Sequence, residues 1–264
     1  MAIRADFITR IAAVPRYDKV GSEVCVTKTP TVRLQSIQVG RVQELSLLGQ
    51  GRTFHSAFVK TPVQGPIWVH CTHLEGDEQA DTLNHGGADK AILVYAASHY
   101  VSWLHEYPSI PFSPGGFGEN FTVEGMDETV VCIGDVYQIG EAQFEVSQPR
   151  IPCWKISHRW QQSGLTERVA ETGRTGWYFR VLRPGWVRAG MEVVRLAQPW
   201  PSWTIARLNG IIRQKEIDHN LITELVACPA LSEAWRKMLH ERLTSSIFRT
   251  RTADGEHAPQ GDKP

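Results

Sequence analysis

Phe144-Glu145-Val146-Ser147-Gln148-Pro149-Arg150-Ile151-Pro152-Cys153-Trp154-Lys155-Ile156-Ser157 changes character halfway along its length. The first half alternates, with Phe144 and Val146 on one side and Glu145 and Ser147 on the other, as a half-buried strand does. Pro149 and Pro152 then stop the ladder, because proline lacks a backbone donor and fixes its own φ. Cys153 is therefore predicted just past a strand end, on a stiffened loop. Arg150 and Lys155 lie close by in sequence, and cationic neighbours favour a thiolate over a thiol. Such a group suits three roles: nucleophile, soft-metal ligand or redox centre. The plainer alternative is a small buried cysteine that serves only packing.

Working outward, the 264 residues are enough for one large domain and an appendage. Hydrophobic residues at 42% and charged ones at 21% describe an ordinary globular chain. Lys+Arg 28 against Asp+Glu 28 leaves no net charge, which argues against a general grip on nucleic acid or an acidic membrane. One local basic pocket remains compatible with that balance. The 5 cysteines (Cys25, Cys71, Cys132, Cys153 and Cys228) are scattered and never form Cys-x-x-Cys. That excludes a disulfide framework and a zinc ribbon, and it suits a reducing cytoplasm. No stretch is long and apolar enough to span a bilayer, and Phe7–Val14 is too short for a signal-peptide core.

Short β-like pieces recur from Ile37 onward, at Phe58-Val59, Ile67–Val69, Ile92–Tyr95, Val130–Tyr137, Phe144–Val146 and Met191–Leu196. Glycine and proline clusters separate them, which predicts a closed or nearly closed β architecture. Helices are expected around Tyr100-Trp103-Leu104 and over Leu165–Ala170, the latter ending near Gly173. Beyond Pro199-Trp200-Pro201, apolar residues fall at helical spacing in three groups. These are Ile205, Leu208 and Ile212; then Leu221, Ile222 and Leu225; then Leu231, Trp235, Met238, Leu239 and Leu243. Ser202 and Ser232 are the expected N-caps. The reading is mainly β with peripheral helices: an extension at 1–36, a β domain at 37–200, a small three-helix appendage at 201–248 and a tail at 249–264.

His85-Gly86-Gly87-Ala88-Asp89-Lys90 can form a nest whose amides face an anion, although a bare Gly-Gly also serves as a tight turn. Asn120, in Gly115–Phe121, can pair with a heterocycle, and Lys60 offers an ammonium to a phosphate. Each also reads as ordinary turn or surface chemistry. The four carboxylates between Leu74 and Asp81 read as a solvated loop that closes its own turns. The tryptophans at helical positions, such as Trp235, read as packing.

Taken in order, Ser56–Val63, Leu74–Asp81, His85–Ala91, Gly116–Asn120 and Val146–Lys155 resemble successive blocks of a MOSC domain (molybdenum cofactor sulfurase C-terminal). Trp203–Arg207 and Leu231–Arg236 resemble the three-helix module that follows MOSC in its bacterial YiiM-type subfamily. His73 stands where that pattern usually has glycine. The resemblance implies a MOSC-type β-barrel that binds a molybdenum–pterin cofactor (molybdenum cofactor, molybdopterin). Cys153 would be the metal ligand and catalytic residue, with Lys60, His85, Gly86, Asn120, Arg150 and Lys155 binding the cofactor. It further implies reduction of small N-hydroxylated substrates such as 6-hydroxylaminopurine to amines, with electrons from a separate reductase. The alternative is a carrier that delivers the cofactor or bears a persulfide on Cys153. Neither nucleic acid nor membrane is an expected partner; a homodimer is an open expectation.

Overall fold

Arg33–Val39 (β1) opens an eight-stranded mixed sheet in the computed structural model, which describes residues 31–46, 53–82, 86–214, 216 and 218–254. The remaining sheet strands are Thr61–Pro62 (β4), Ile92–Ala96 (β6), Phe121–Glu124 (β7), Val136–Ile139 (β8), Ala142–Pro149 (β9), Trp177–Arg183 (β10) and Val193–Ala197 (β12). Two two-stranded pairs form separate ladders: Gln43–Ser46 (β2) with Thr53–Ser56 (β3), adjacent in sequence, and Pro66–Val69 (β5) with the distant Gly185–Arg188 (β11). Among the described residues, six α-helices surround the sheet or follow it: Ala97–Glu106 (α1), Lys155–Trp160 (α2), Leu165–Thr172 (α3), Ile205–Arg213 (α4), His219–Val226 (α5) and Glu233–Asp254 (α6).

The expected class holds: mainly β, peripheral helices, then a small helical region. The barrel does not close. Strand order runs openly as β12-β8-β9-β10-β6-β7-β1-β4. The two sides of the curled sheet approach through an isolated Arg33–Glu192 bridge, with Leu34 N to Met191 O at 2.9 Å and Gly190 N to Leu34 O at 2.7 Å. The residues that face β1 there include a turn, with Gly190 at φ 89, so no full ladder can form. Phe58-Val59, expected as a strand, follows the end of β3 instead. The Val130–Tyr137 stretch is extended only from Val136.

Phe144, Val146, Phe121, Trp177 and Phe179 are fully buried between the curled faces. Each such side chain contributes about 1.5–3 kcal/mol relative to exposure. The three-helix region shares this core, since Ile205, Leu208, Ile222, Leu225, Leu231, Trp235 and Leu239 belong to the same buried cluster. Backbone bonds stitch the join: Ile133 N to Trp203 O, Ile205 N to Val131 O and Ser232 N to Ser147 O, each 2.9 Å. Ser232 caps α6 as expected, accepting from Trp235 N at 3.2 Å. Thr204, not Ser202, caps α4, because its side chain accepts from Arg207 N. The helix α6 runs on to Asp254, while residues 1–30 and 255–264 lie outside the described part. Among the described residues no helix is long and apolar enough to cross a membrane.

A second apolar cluster of Tyr95, Trp103, Phe112, Phe117, Ile156, Leu165 and Val169 packs α1, α2 and α3 together. Ile156, fully buried in it, anchors the chain three residues after Cys153.

Candidate functional site

The strands β6 and β7 are the sheet's parallel pair, with Val94 opposite Phe121, and α1 makes the crossover. Parallel direction brings the entry loops of both strands to one edge, so Gly86–Ala91 meets Gly115–Asn120 there. Glu119, fully buried, braces the second loop: its carboxylate accepts from Gly115 N at 2.7 Å, Phe117 N at 3.1 Å and Thr122 Oγ1 at 3.0 Å. Tyr100 OH donates to the same carboxylate. Burial, then Glu119, pushes that phenol well above its ordinary range, so it remains a donor. Gly118 sits at φ +82, and a Cβ there would lie 2.6 Å from the Phe58 ring. Only glycine fits this corner.

A cavity of about 310 Å³ opens at this edge. Lys60, Gly86, Asn120, Arg150, Cys153 and Lys155 all line it, so the loop after β9 meets the two glycine loops. His85 lies outside the described residues. Sequence reasoning missed Asp77, Lys90 and Tyr178, which also line the space.

Asp77 is the largest difference from expectation. Read as part of a solvated loop, it is a buried hub: Lys60 Nζ sits 2.5 Å from its Oδ1, with both side chains under one-tenth exposed. Gly40 N donates to the same oxygen at 2.6 Å, and Asn120 Nδ2 to Oδ2 at 2.8 Å. Lys60 therefore meets any ligand with its charge already partly balanced. Asn120 also donates to Gln38 O at 3.3 Å and accepts from Leu93 N at 3.1 Å, so it shapes the wall as well as facing the cavity. The signal for Asp77 lay in Lys60 and Asn120, distant in sequence and brought together only by the fold.

Arg150 is 3% exposed. Its Nη2 donates to Phe117 O at 3.2 Å, while Nη1 is buried without a hydrogen-bond partner among the described residues. A buried donor left unmade is costly, and Arg150 also lines the cavity, where a guanidinium is a natural partner for an anion. Lys90 also faces the space; burial lowers its pKa, and the nearby charges of Asp81 and Asp89 work against that shift. Tyr178 is raised by burial, with Arg150 opposing and Cys153 adding to the shift. Cys153 itself is half-buried. Its carbonyl accepts from Ile156 N at 3.1 Å and Thr166 Oγ1 at 3.2 Å, so the backbone fixes the thiol's position.

A smaller cleft of about 160 Å³ adjoins the cavity, and Phe58 and Lys155 line both. Phe54 and His158 form another part of its wall. Both rings meet Trp154 edge-on, at centroid separations of 4.8 Å for Phe54 and 5.8 Å for His158. Trp154 follows Cys153 directly and is 50% exposed, whereas Trp235, read as packing from its helical position, is buried at 2%.

Residues 81–194 match the family model described as MOSC domain, and residues 203–245 the model described as YiiM-like, 3-alpha helix domain. The chain is 38% identical over 201 residues to YflK of Bacillus subtilis, covering 76% of this chain and 90% of that protein. A protein of Gibberella moniliformis named a reductase is 33% identical over 238 residues, 89% of this chain but only 41% of its own length. Among solved structures, YiiM from Geobacillus stearothermophilus aligns with a TM-score of 0.68 at 33% identity, covering 80% of this chain and 99% of that one.

Proposed function

Since the chain belongs to the MOSC family and carries a YiiM-like three-helix domain, we propose that it uses a molybdenum–pterin cofactor to reduce N-hydroxylated compounds such as 6-hydroxylaminopurine to amines. The supporting observation is one cavity lined by Cys153, Arg150, Lys90 and Lys155, a soft sulfur among three cations. The donor set fits that group. Among the described residues no cluster of three metal-ligating side chains exists, so a metal held here must bring ligands of its own. A single soft thiolate together with an anion-seeking arginine suits a metal carried on a phosphorylated organic scaffold.

Cys153 would bind the molybdenum, and Arg150, Lys90 and Lys155 would hold the anionic end of the pterin, with Gly86 allowing close backbone approach. Bound there, the cofactor would supply the two-electron chemistry, with its electrons drawn from a separate reductase protein. The net change adds two electrons and two protons to R–NH–OH and releases R–NH₂ and water. Lys155 lines both the cavity and the adjoining cleft, which suits its Nζ to hydrogen-bond the departing oxygen. The Phe54 and His158 rings of this wall, set 73° apart, offer the ring of the substrate an aromatic surface to pack on.

The test is to measure molybdenum and pterin on the purified protein and to assay 6-hydroxylaminopurine with a reduced viologen as donor. Stoichiometric cofactor with conversion to adenine is the expected result. Cofactor without turnover would favour a delivery protein, and the absence of both would remove the reading. A second prediction concerns the cleft. In Phe54→Ala, KM for the purine should rise about tenfold, the equivalent of about 1.4 kcal/mol. A small aliphatic hydroxylamine should be reduced as before; equal losses for both substrates would exclude ring recognition by this wall.

A further inference from the structure

The loop that carries Lys90 is held from behind by the three-helix region. Gly86, Gly87, Lys90 and Ala91 line the cavity, whereas Asp89 bonds away from it. Its Oδ1 accepts from Arg180 Nε at 2.7 Å and forms an ion pair with Arg180 Nη2 at 2.6 Å. Its Oδ2 accepts from Glu233 N, the first residue of α6, at 3.3 Å, and its carbonyl accepts from Ser147 Oγ at 2.5 Å. Arg180 is itself fixed, with Nη1 on Glu145 and Nη2 reaching the Ala230 carbonyl at 3.5 Å. Ser147 closes the ring through its carbonyl, which accepts from Ser232 N at 2.9 Å. Asp89 thus ties the glycine loop, strands β9 and β10 and the start of α6 into one junction.

We propose that Asp89, Arg180 and the amino end of α6 form a positioning device, through which the three-helix region sets the place of the Gly86–Lys90 loop in the cavity. The helical region is then a working part of the anion pocket and not a separately attached module. Physically, the α6 N-terminus presents an unsatisfied N–H and the positive end of its dipole to a carboxylate one residue from Lys90. The fork of Arg180 grips that carboxylate through two nitrogens, a geometry that lysine cannot reproduce. The identity of the bound anion rests on the cofactor reading above; the mechanical link does not.

Glu233→Pro tests the link cleanly. Proline is tolerated at the first helical position and removes the N–H aimed at Asp89 together with the glutamate side chain. Glu233→Ala, which keeps that N–H, is the control for the lost side chain. Relative to Glu233→Ala, Glu233→Pro should exchange the amides of residues 88–91 roughly five- to tenfold faster in the cofactor-free protein, as expected for one lost hydrogen bond of 3.3 Å. Loaded with cofactor, it should release molybdenum and pterin faster by a similar factor. Arg180→Lys should show both changes despite its retained charge. If Glu233→Pro unfolds, Asp89→Asn provides the same comparison, because its amide cannot accept from both partners. Unchanged exchange at 88–91 would overturn the link. Faster exchange with unaltered cofactor release would overturn its positioning role. Wild-type protein that holds no cofactor would count against the functional reading alone, since exchange is measured without it.

Discussion

Cys153→Ala is expected to leave the protein folded and strip it of molybdenum. The bonds that fix this residue come from its carbonyl, to Ile156 and Thr166, and alanine retains that carbonyl. The side chain is only half-buried, so the loss of stability should stay within about 1 kcal/mol. The sulfur is the one soft donor among the named residues of the cavity, and no neighbouring oxygen or nitrogen replaces it for a soft-bonding metal. Metal content should fall to background and turnover by at least about a hundredfold, or more than 2.7 kcal/mol of transition-state stabilisation. Elemental analysis beside a thermal melt reads both outcomes at once. A variant that kept metal and rate would show that the thiol has no part in either.

Arg150→Met should separate stability from binding. Met matches the arginine stem in bulk but carries no buried N–H groups. The substitution removes an Nη1 without a partner and gives up one 3.2 Å bond to Phe117 O. Replacing a poorly compensated buried charge by an apolar side chain is commonly neutral or stabilising, so the cofactor-free melting temperature should hold or rise. Cofactor affinity should fall by about thirtyfold or more, near 2 kcal/mol, because a charge-assisted contact to the anion is lost. Arg150→Lys should recover little of it, since an ammonium lacks the planar fork. The opposite result, a destabilised protein with normal cofactor retention, would make Arg150 a structural residue.

The proline-braced loop was legible because Pro149 and Pro152 act locally, and β9 does end at Pro149. The three terminal helices were legible for the same kind of reason: their apolar spacing survives in the fold, and Ser232 caps as expected. The strand β10, partner of both β9 and β6, escaped notice because Trp177, Tyr178 and Phe179 are buried in succession. A strand covered on both faces loses the alternation that would reveal it. The short α2 is only 6 residues long, too brief for helical periodicity to show. Asp77 misled through composition, because a run of carboxylates reads as solvated until a lysine and an asparagine distant in sequence bury one of them. In the cavity, residue types pointed to Cys153, Arg150 and Lys155, but only tertiary geometry showed Arg150 with an unmet donor.

The seam between Arg33 and Glu192 has a consequence for synthesis on the ribosome. Strand β1 meets its short neighbour β4 early, at Thr61–Pro62, yet its longer ladder partner β7 is made only at Phe121–Glu124, and the seam waits for Gly190 to Val193. Until those partners are made, part of the β1 edge is an unsatisfied row of amides and carbonyls, open to foreign strands. The polar Arg33, Gln35 and Gln38 along it would help the nascent chain resist such pairing until its late-made complement arrives.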